Sequence, residues 1–345
     1  MKPNLLKSMI CGVFAVGVTT AADACTRVFW DTQEHGTFVS RTMDWLEPTG
    51  VTLINYPKGT SYKANLGGDY TYDAKYDVTG LLTYGALANA TNSAGLSGNV
   101  LFDNNMVVKD GKQPSDVGVI HYLQHLISQF ADVAEAVEYI QANPGVTETI
   151  PGVDMALNIH FSLQDISGDS AVIEFRDGES KIWHGPQYNV MTNQPDFDVH
   201  LASLDRAQRG WGEKETQGLY TNLHTGGNIN PEDRFIHASY YVSHLSEPSS
   251  VMNGLIKLNG VPVIVPHDAP NRVVNGVMTG YASEYNVTEH LQSGQTLFNY
   301  QWGDVISQLH YNVNKIRESG KQVSFRLDQP GLAGDITQLV IDSAQ

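Results

Sequence analysis

Apolar and polar residues alternate directly after Cys25. There Thr-Arg-Val-Phe-Trp is followed by a polar stretch over residues 31–36 and then by Thr-Phe-Val-Ser-Arg. Two β-rich runs around a short Gly-containing turn predict a hairpin. Residues 51–56 alternate again, residues 81–87 read as a further strand, and the turn at 92–95 leads into another strand through Leu101. The period then changes. From Pro114-Ser115-Asp116 onward, Ile120, Leu123, Ile127 and Phe130 recur every three or four residues, which predicts a helix with one apolar face. A second helix is predicted over 132–142, with Val133, Ala136, Val137 and Ile140 on one side and Asn143-Pro144-Gly145 ending it. Alternation returns over 158–164 and 171–176, separated by Ser167-Gly168-Asp169, and Asp177-Gly178 is a strong hairpin turn into 181–184. A helix over 234–245 and a strand over 296–302 follow. Strands in runs, helices inserted in blocks and no βαβ rhythm together predict a layered α+β fold with antiparallel sheets.

The first residues change the reading of the chain's organisation. Lys2 and Lys7 accompany an apolar core over 9–18, and Ala22-Asp23-Ala24 supplies the small-x-small pattern after which an export signal is cut. The apolar run is too short to span a bilayer, and no later stretch approaches about 18 apolar residues. The expectation is therefore a signal peptide over 1–24 that is removed, and one domain over 25–345 without membrane insertion, located in the periplasm. Removing 24 of 345 residues leaves 321, within reach of one large domain, and no repeat, low-complexity segment or Pro/Ser-rich linker divides it. Loss of Lys2, Lys7 and Asp23 takes the formal charge from −16 to −17. That acidity excludes the electrostatic footprint of a nucleic-acid partner or an anionic membrane surface.

Cysteine usage sharpens the picture further. Of the two cysteines, Cys11 leaves with the signal and Cys25 becomes the first residue, so no internal disulfide can form. A lone thiol at a cleavage junction in an oxidising compartment is a candidate reactive group. Two other roles compete: a lipid-acylated cysteine, as in a lipid-anchored periplasmic binding protein, and an inert structural thiol. The lipoprotein signal prefers Leu three residues upstream, where Ala22 stands. As a first residue Cys25 would carry its own base. A free α-amine has an ordinary pKa of about 7.7–8.0. It can take the thiol proton, directly or through a water, and later return one to a leaving amine. None of the twelve histidines falls in a recognisable cysteine-protease setting. Arg41 and Asp44, in Ser40-Arg41-Thr42-Met43-Asp44-Trp45, would lie beside the new terminus if residues 37–41 pair with the strand after Cys25. A guanidinium there favours the thiolate, and a carboxylate orients the amine; a surface ion pair at a strand end is the alternative.

The motifs then become specific. Cys25-Thr26-Arg27, with Arg41 and Asp44 standing 16 and 19 residues after the cysteine in Arg-x-Met-Asp-Trp, resembles the choloylglycine hydrolase family of penicillin V acylases and bile salt hydrolases. The resemblance continues in Asn92-Ser93-Ala94-Gly95-Leu96, in Val190-Met191-Thr192-Asn193-Gln194-Pro195 with Phe197-Asp198, and in Asp233-Arg234-Phe235. It implies an N-terminal-nucleophile hydrolase, an αββα sandwich with antiparallel sheets, acting on linear amides of small molecules without metal or organic cofactor. It implies roles as well: Cys25 as nucleophile, Asp44 as partner of its amine and Arg41 as stabiliser of the thiolate. Asn193 would be the side-chain donor of the oxyanion hole and Arg234 a second buried arginine. Read without the resemblance, Asn193 is a turn residue and Arg234 a helix-start partner of Glu232 or Asp233. Counting from Gly95-Leu96 puts Phe102 where Gram-positive members carry a second oxyanion donor, so a backbone N–H would serve instead. Trp45 and Phe102 resemble the aromatic wall of the Gram-negative branch and would bind the acyl group; ordinary core packing is their other reading. The resemblance favours penicillin V acylase-like chemistry with N-acyl homoserine lactones as a further substrate class, and hence quorum quenching. Conjugated bile salts are the alternative. A homotetramer is implied on the same ground.

Overall fold

The computed structural model describes residues 25–148, 158–211, 229–267, 272–274 and 277–344; the expected signal peptide lies outside the described residues. The chain begins with β1 (Thr26–Asp31), β2 (Thr37–Trp45) and β3 (Thr52–Tyr56), then a small hairpin of β4 (Ser61–Lys63) and β5 (Thr71–Asp73). β6 (Val78–Thr83), β7 (Ala86–Asn92) and β8 (Ser97–Phe102) precede the helices α1 (Tyr122–Gln129) and α2 (Val133–Ala142). Next come β9 (Ile159–Gln164), β10 (Ser170–Arg176), β11 (Glu179–His184) and β12 (Val190–Thr192), followed by α3 (Phe197–Trp211), α4 (Pro231–His244) and α5 (Val251–Asn259). A second small hairpin, β13 (Arg272–Val274) with β14 (Val277–Thr279), leads to β15 (Ala282–His290), β16 (Gln295–Trp302) and β17 (Val305–Asn312). The chain closes with α6 (Val313–Glu318), β18 (Val323–Arg326), β19 (Gly334–Asp335) and α7 (Thr337–Asp342).

Two sheets result, one of seven strands in the order β12-β1-β2-β15-β16-β17-β19 and one of eight in the order β11-β10-β9-β8-β7-β6-β3-β18. All neighbouring strands run antiparallel except β17 and β19. The period of two separates the faces. On β2, Phe38 meets α5 at Gly254, where a Cβ would sit 2.4 Å from the Phe38 ring. Arg41, of opposite parity, reaches the Ala88 carbonyl on the other sheet. One apolar core thus fills the space between the sheets and under α4 and α5. A second lies between the eight-stranded sheet and α1 and α2, where Tyr122, Leu123, Leu126 and Ile127 are fully buried. At about 1.5–3 kcal/mol per buried large side chain, that face holds a helix of only two turns. The layers are helix, sheet, sheet, helix, as expected of an α+β sandwich.

Two local expectations are corrected. The run 81–87 is not one strand: Tyr84 and Gly85 take φ of 50° and 80°, making a tight turn between β6 and β7. The first helix begins at Tyr122, not near Pro114. The backbone N–H groups of Gly118, Val119 and Ile120 donate outward to Ala64 O, Val146 O and the Glu148 carboxylate, so they are unavailable to a helical ladder. The second helix starts at Val133 with the Asp132 side chain capping the Glu135 N–H.

Candidate active site

Cys25 directly precedes β1, which lies between β12 and β2, and it is 3 % exposed. The same hairpin register that pairs Arg27 with Arg41 brings Asp44 back to the start of β1. The Asp44 N–H donates to Cys25 Sγ at 3.5 Å, and Arg41 Nη2 approaches the sulfur at 3.8 Å. Met43 Sδ stands 3.9 Å away on the same side. Burial pushes the thiol pKa up to about 11. Arg41 pulls against it, the Asp44 carboxylate adds to it, and the Asp44 N–H and Arg234 pull it down again.

Asp44 is fully buried on the helix side of β2. Its Oδ2 accepts from Thr42 Oγ1 at 3.2 Å, while Oδ1 has no hydrogen-bond partner among the described residues. Desolvation raises its pKa to about 6, against the pull of Arg234, the Ser283 and Thr42 hydroxyls and Arg41. A buried carboxylate oxygen without a donor is costly. A cation or donor arriving at Oδ1 would therefore be bound strongly.

Asn193 follows β12, which pairs with β1 through Thr192 and Thr26. Its amide is pinned at both ends: Oδ1 accepts from Arg234 Nη2 at 2.9 Å, and Nδ2 donates to the Phe102 carbonyl at 2.8 Å. One amide hydrogen is thereby used and the second stays available in a fixed direction. Arg234 enters from the first turn of α4, whose N-cap Asn230 takes the Asp233 N–H. Its Nη1 donates to the Cys25 carbonyl and, at 2.7 Å, to Thr26 Oγ1. The expected helix-start partners lie elsewhere: Glu232 accepts from Ser203 and Asp233 from Asn230. Cys25, Arg41, Asp44, Asn193 and Arg234 are thus one buried cluster, and neither Arg41 nor Asp44 is at the surface.

Trp45 and Phe102 meet beside the cluster with ring centroids 6.0 Å apart. The sequence reading missed Tyr281, which packs edge-on against Trp45 at 5.9 Å. It also missed His200, whose Nε2 lies 2.8 Å from the Asn193 carbonyl; burial lowers its pKa to about 4, so the ring is neutral. Phe-Asp-x-His over residues 197–200 lies within a helical run after Asn193, and that one-turn spacing was the available signal.

The sequence profile of linear amide C–N hydrolases of the choloylglycine hydrolase family matches residues 25–308. A penicillin V acylase of Pectobacterium atrosepticum is 29% identical over 269 residues, covering 72% of this chain and 68% of that protein. A bile salt hydrolase/transferase of Bifidobacterium longum is 24% identical over 238 residues, covering 64% of this chain and 74% of that one. The structure of penicillin V acylase from Agrobacterium tumefaciens superposes with a TM-score of 0.76 at 23% identity, covering 93% of this chain and 97% of that chain. A matching profile across most of the chain and a shared two-sheet sandwich lead to one assignment: the chain belongs to the choloylglycine hydrolase family of linear amide C–N hydrolases.

Proposed function

We propose that Cys25, freed by cleavage after Ala24, is the N-terminal nucleophile of a periplasmic penicillin V acylase-like amidase that also accepts N-acyl homoserine lactones. The observation that carries this reading is the gathering around Cys25 of two guanidiniums, a carboxylate with one oxygen unpartnered among the described residues, and an amide held at both ends. The family match beginning at Cys25 supports it as well. While Ala24 is attached, the Cys25 nitrogen is a peptide nitrogen and cannot act as a base. Cleavage creates an α-amine on the same residue, and Asp44 Oδ1 is the acceptor for it. The ammonium then stabilises the carboxylate, and both it and Arg41 favour the thiolate.

In the cycle, the Cys25 sulfur attacks the amide carbonyl, and the carbonyl oxygen becomes an oxyanion that takes the free Asn193 N–H and a backbone N–H. Collapse breaks the C–N bond, the departing nitrogen receives a proton from the α-ammonium, and a thioester remains. Water, deprotonated by the α-amine, attacks that thioester and releases the acid and the thiol. Trp45, Phe102 and Tyr281 offer ring faces and edges to the acyl group, which favours a planar aryl ether or an extended chain over a steroid.

Intact-mass measurement and assay of the exported protein test this reading. A mass beginning at an unmodified Cys25 is expected, with release of phenoxyacetate from penicillin V that Cys25→Ser abolishes. An added mass of acyl chains would instead mean a lipid anchor, and faster turnover of glycocholate than of penicillin V would reverse the substrate order. The proposed homotetramer and periplasmic location are checked by light scattering and by cell fractionation.

A further inference from the structure

A second buried polar cluster lies on the other side of Asn193, on the eight-stranded sheet. Asp103 follows β8, His160 is on β9 and Glu174 on β10, three neighbouring strands. Leu101 stands opposite His160 in the β8–β9 register, and Ile173 opposite Phe161 between β10 and β9. Alternation therefore sends all three side chains to one face, that of Leu101 and Val172, which looks into the space between the sheets. His160 is 1% exposed, and Asp103 and Glu174 are fully buried.

The distances within this cluster are not those of hydrogen bonds. His160 Nδ1 lies 3.4 Å from Asp103 Oδ2 and 3.9 Å from Glu174 Oε1. Asp103 Oδ2 and both ring nitrogens of His160 have no hydrogen-bond partner among the described residues. An N–H···O bond would bring the atoms to about 2.7–3.2 Å. Ligands about 2.0–2.2 Å from a tetrahedrally coordinated ion are about 3.3–3.6 Å apart. One atom of each residue lies within 4.8 Å of the others. The 3.4 Å separation falls in the range of ion-bound ligands and the 3.9 Å one lies just beyond it, so the three groups face a common point with slightly wider spacing than a bound ion would impose.

The surrounding charges agree. Arg176 is shared by Glu174, Asp196 and Asp198, and Lys181 pairs with Asp198. With Asp103, four carboxylates stand against two cations, so a surplus of two formal negative charges surrounds the His160 ring. Both Glu174 oxygens are oriented from behind, Oε1 by the Phe197 N–H at 2.8 Å and Oε2 by Arg176. Asp103 Oδ1 takes the Asn105 N–H at 2.9 Å. Ligating carboxylates are commonly fixed by outer partners in this way.

We infer that Asp103, His160 and Glu174 bind a divalent first-row transition ion, of the Zn2+ class, through Asp103 Oδ2, His160 Nδ1 and Glu174 Oε1. One imidazole and two carboxylates suit such an ion better than Ca2+, which takes six to eight oxygens. Its place gives it a purpose independent of Cys25. It ties the end of β8, whose Phe102 carbonyl holds Asn193 Nδ2, to Glu174, which holds the first N–H of α3. The ion thus clamps the frame on both sides of the Asn193 amide.

Full-length protein stripped with a chelator, loaded with Zn2+ and freed of excess ion tests the inference by elemental analysis. About one equivalent is expected in the wild type and less than about 0.2 in Asp103→Asn and in His160→Gln, with a rise of several degrees in wild-type Tm on loading. Co2+ in the wild type alone should give the visible absorption of a low-symmetry four-coordinate site, a readout that needs no variant to fold. Wild-type protein that retains less than about 0.2 equivalent, or variants that retain as much as the wild type, would overturn the assignment. So would a His160 imidazolium at neutral pH, seen by NMR and unchanged by Zn2+, since a proton would then hold the carboxylates together. Loss of metal with amidase activity intact, or the reverse, separates this site from the Cys25 reading.

Discussion

Arg27 and Arg41 are direct partners across β1 and β2, both fully buried and both on the face between the sheets, yet their surroundings differ. Arg27 is enclosed by neutral acceptors: Gln164 Oε1 at 2.6 and 3.0 Å, Ser170 Oγ at 2.9 Å, and the Tyr188 carbonyl at 3.2 Å. It fastens the seven-stranded sheet to the eight-stranded one, and burial lowers its pKa to about 9. Arg41 is anchored by the Ala88 and Thr42 carbonyls and spends its remaining reach on Cys25 Sγ. One arginine closes a structural network and the other leaves charge directed at a thiol. The pair teaches that two arginines facing each other across one hairpin can end in different chemical surroundings, one on neutral oxygens and one reaching a sulfur.

The sharpest test of that contrast removes the group Arg41 faces. Cys25→Ser is expected to lower amide hydrolysis by at least ~10³-fold, while Tm moves by only a few degrees, measured by turnover and calorimetry on the same sample. Arg41→Met should come next, with hydrolysis and the rate of Cys25 alkylation both falling by ~10²-fold through loss of the thiolate's counter-charge. Arg27→Met should do the opposite. It strands Gln164, Ser170 and the Tyr188 carbonyl, at a cost of about 2–4 kcal/mol in denaturant unfolding, and changes kcat by less than about five-fold. Equal effects of the two arginine variants on alkylation would dissolve the distinction.

Asp44 gives a smaller and pH-dependent effect. Its pKa is about 6 in the uncleaved fold against an ordinary 3.8, so the folded state holds its proton more tightly than the unfolded state. That stabilises the uncleaved chain in acid, by no more than about 3 kcal/mol. The contribution is lost as pH rises from about 4 to about 6. Unfolding of a cleavage-blocked variant across that range should show the loss, Asp44→Asn should remove it, and the cleaved protein should show less of it because the ammonium lowers the carboxyl pKa. Trp45→Ala should have the smallest effect, raising KM for penicillin V several-fold with kcat nearly unchanged, if the proposed aromatic wall binds the acyl group without taking part in the chemistry.

Local signals were legible where a few neighbouring residues decide the outcome. The hairpin after Cys25, the Asp177-Gly178 turn and the helix capped by Asp132 all follow from period and turn chemistry. The helix boundary at Tyr122 was not, because Gly118, Val119 and Ile120 bond to distant segments. For the site, motif order made Cys25, Arg41, Asp44, Asn193 and Arg234 candidates, but the same residues also read as a surface pair, a turn and a helix-start ion pair. Burial set aside the surface pair, and partners set aside the helix-start ion pair, and neither is written in a run of neighbours.

The sequence by itself determined an α+β chain and the motifs that mark the family, and it singled out Cys25 as a candidate, because each depends on residues close along the backbone. Tertiary structure alone decided which face each strand residue shows. That choice set Arg27 on Gln164 and Arg41 on the thiol, brought Tyr281 against Trp45, and gathered Asp103, His160 and Glu174 from three strands. The reason is physical: hydrogen bonding and charge act over a few ångströms of space, and only the packing of two sheets turns dozens of residues of chain separation into such distances.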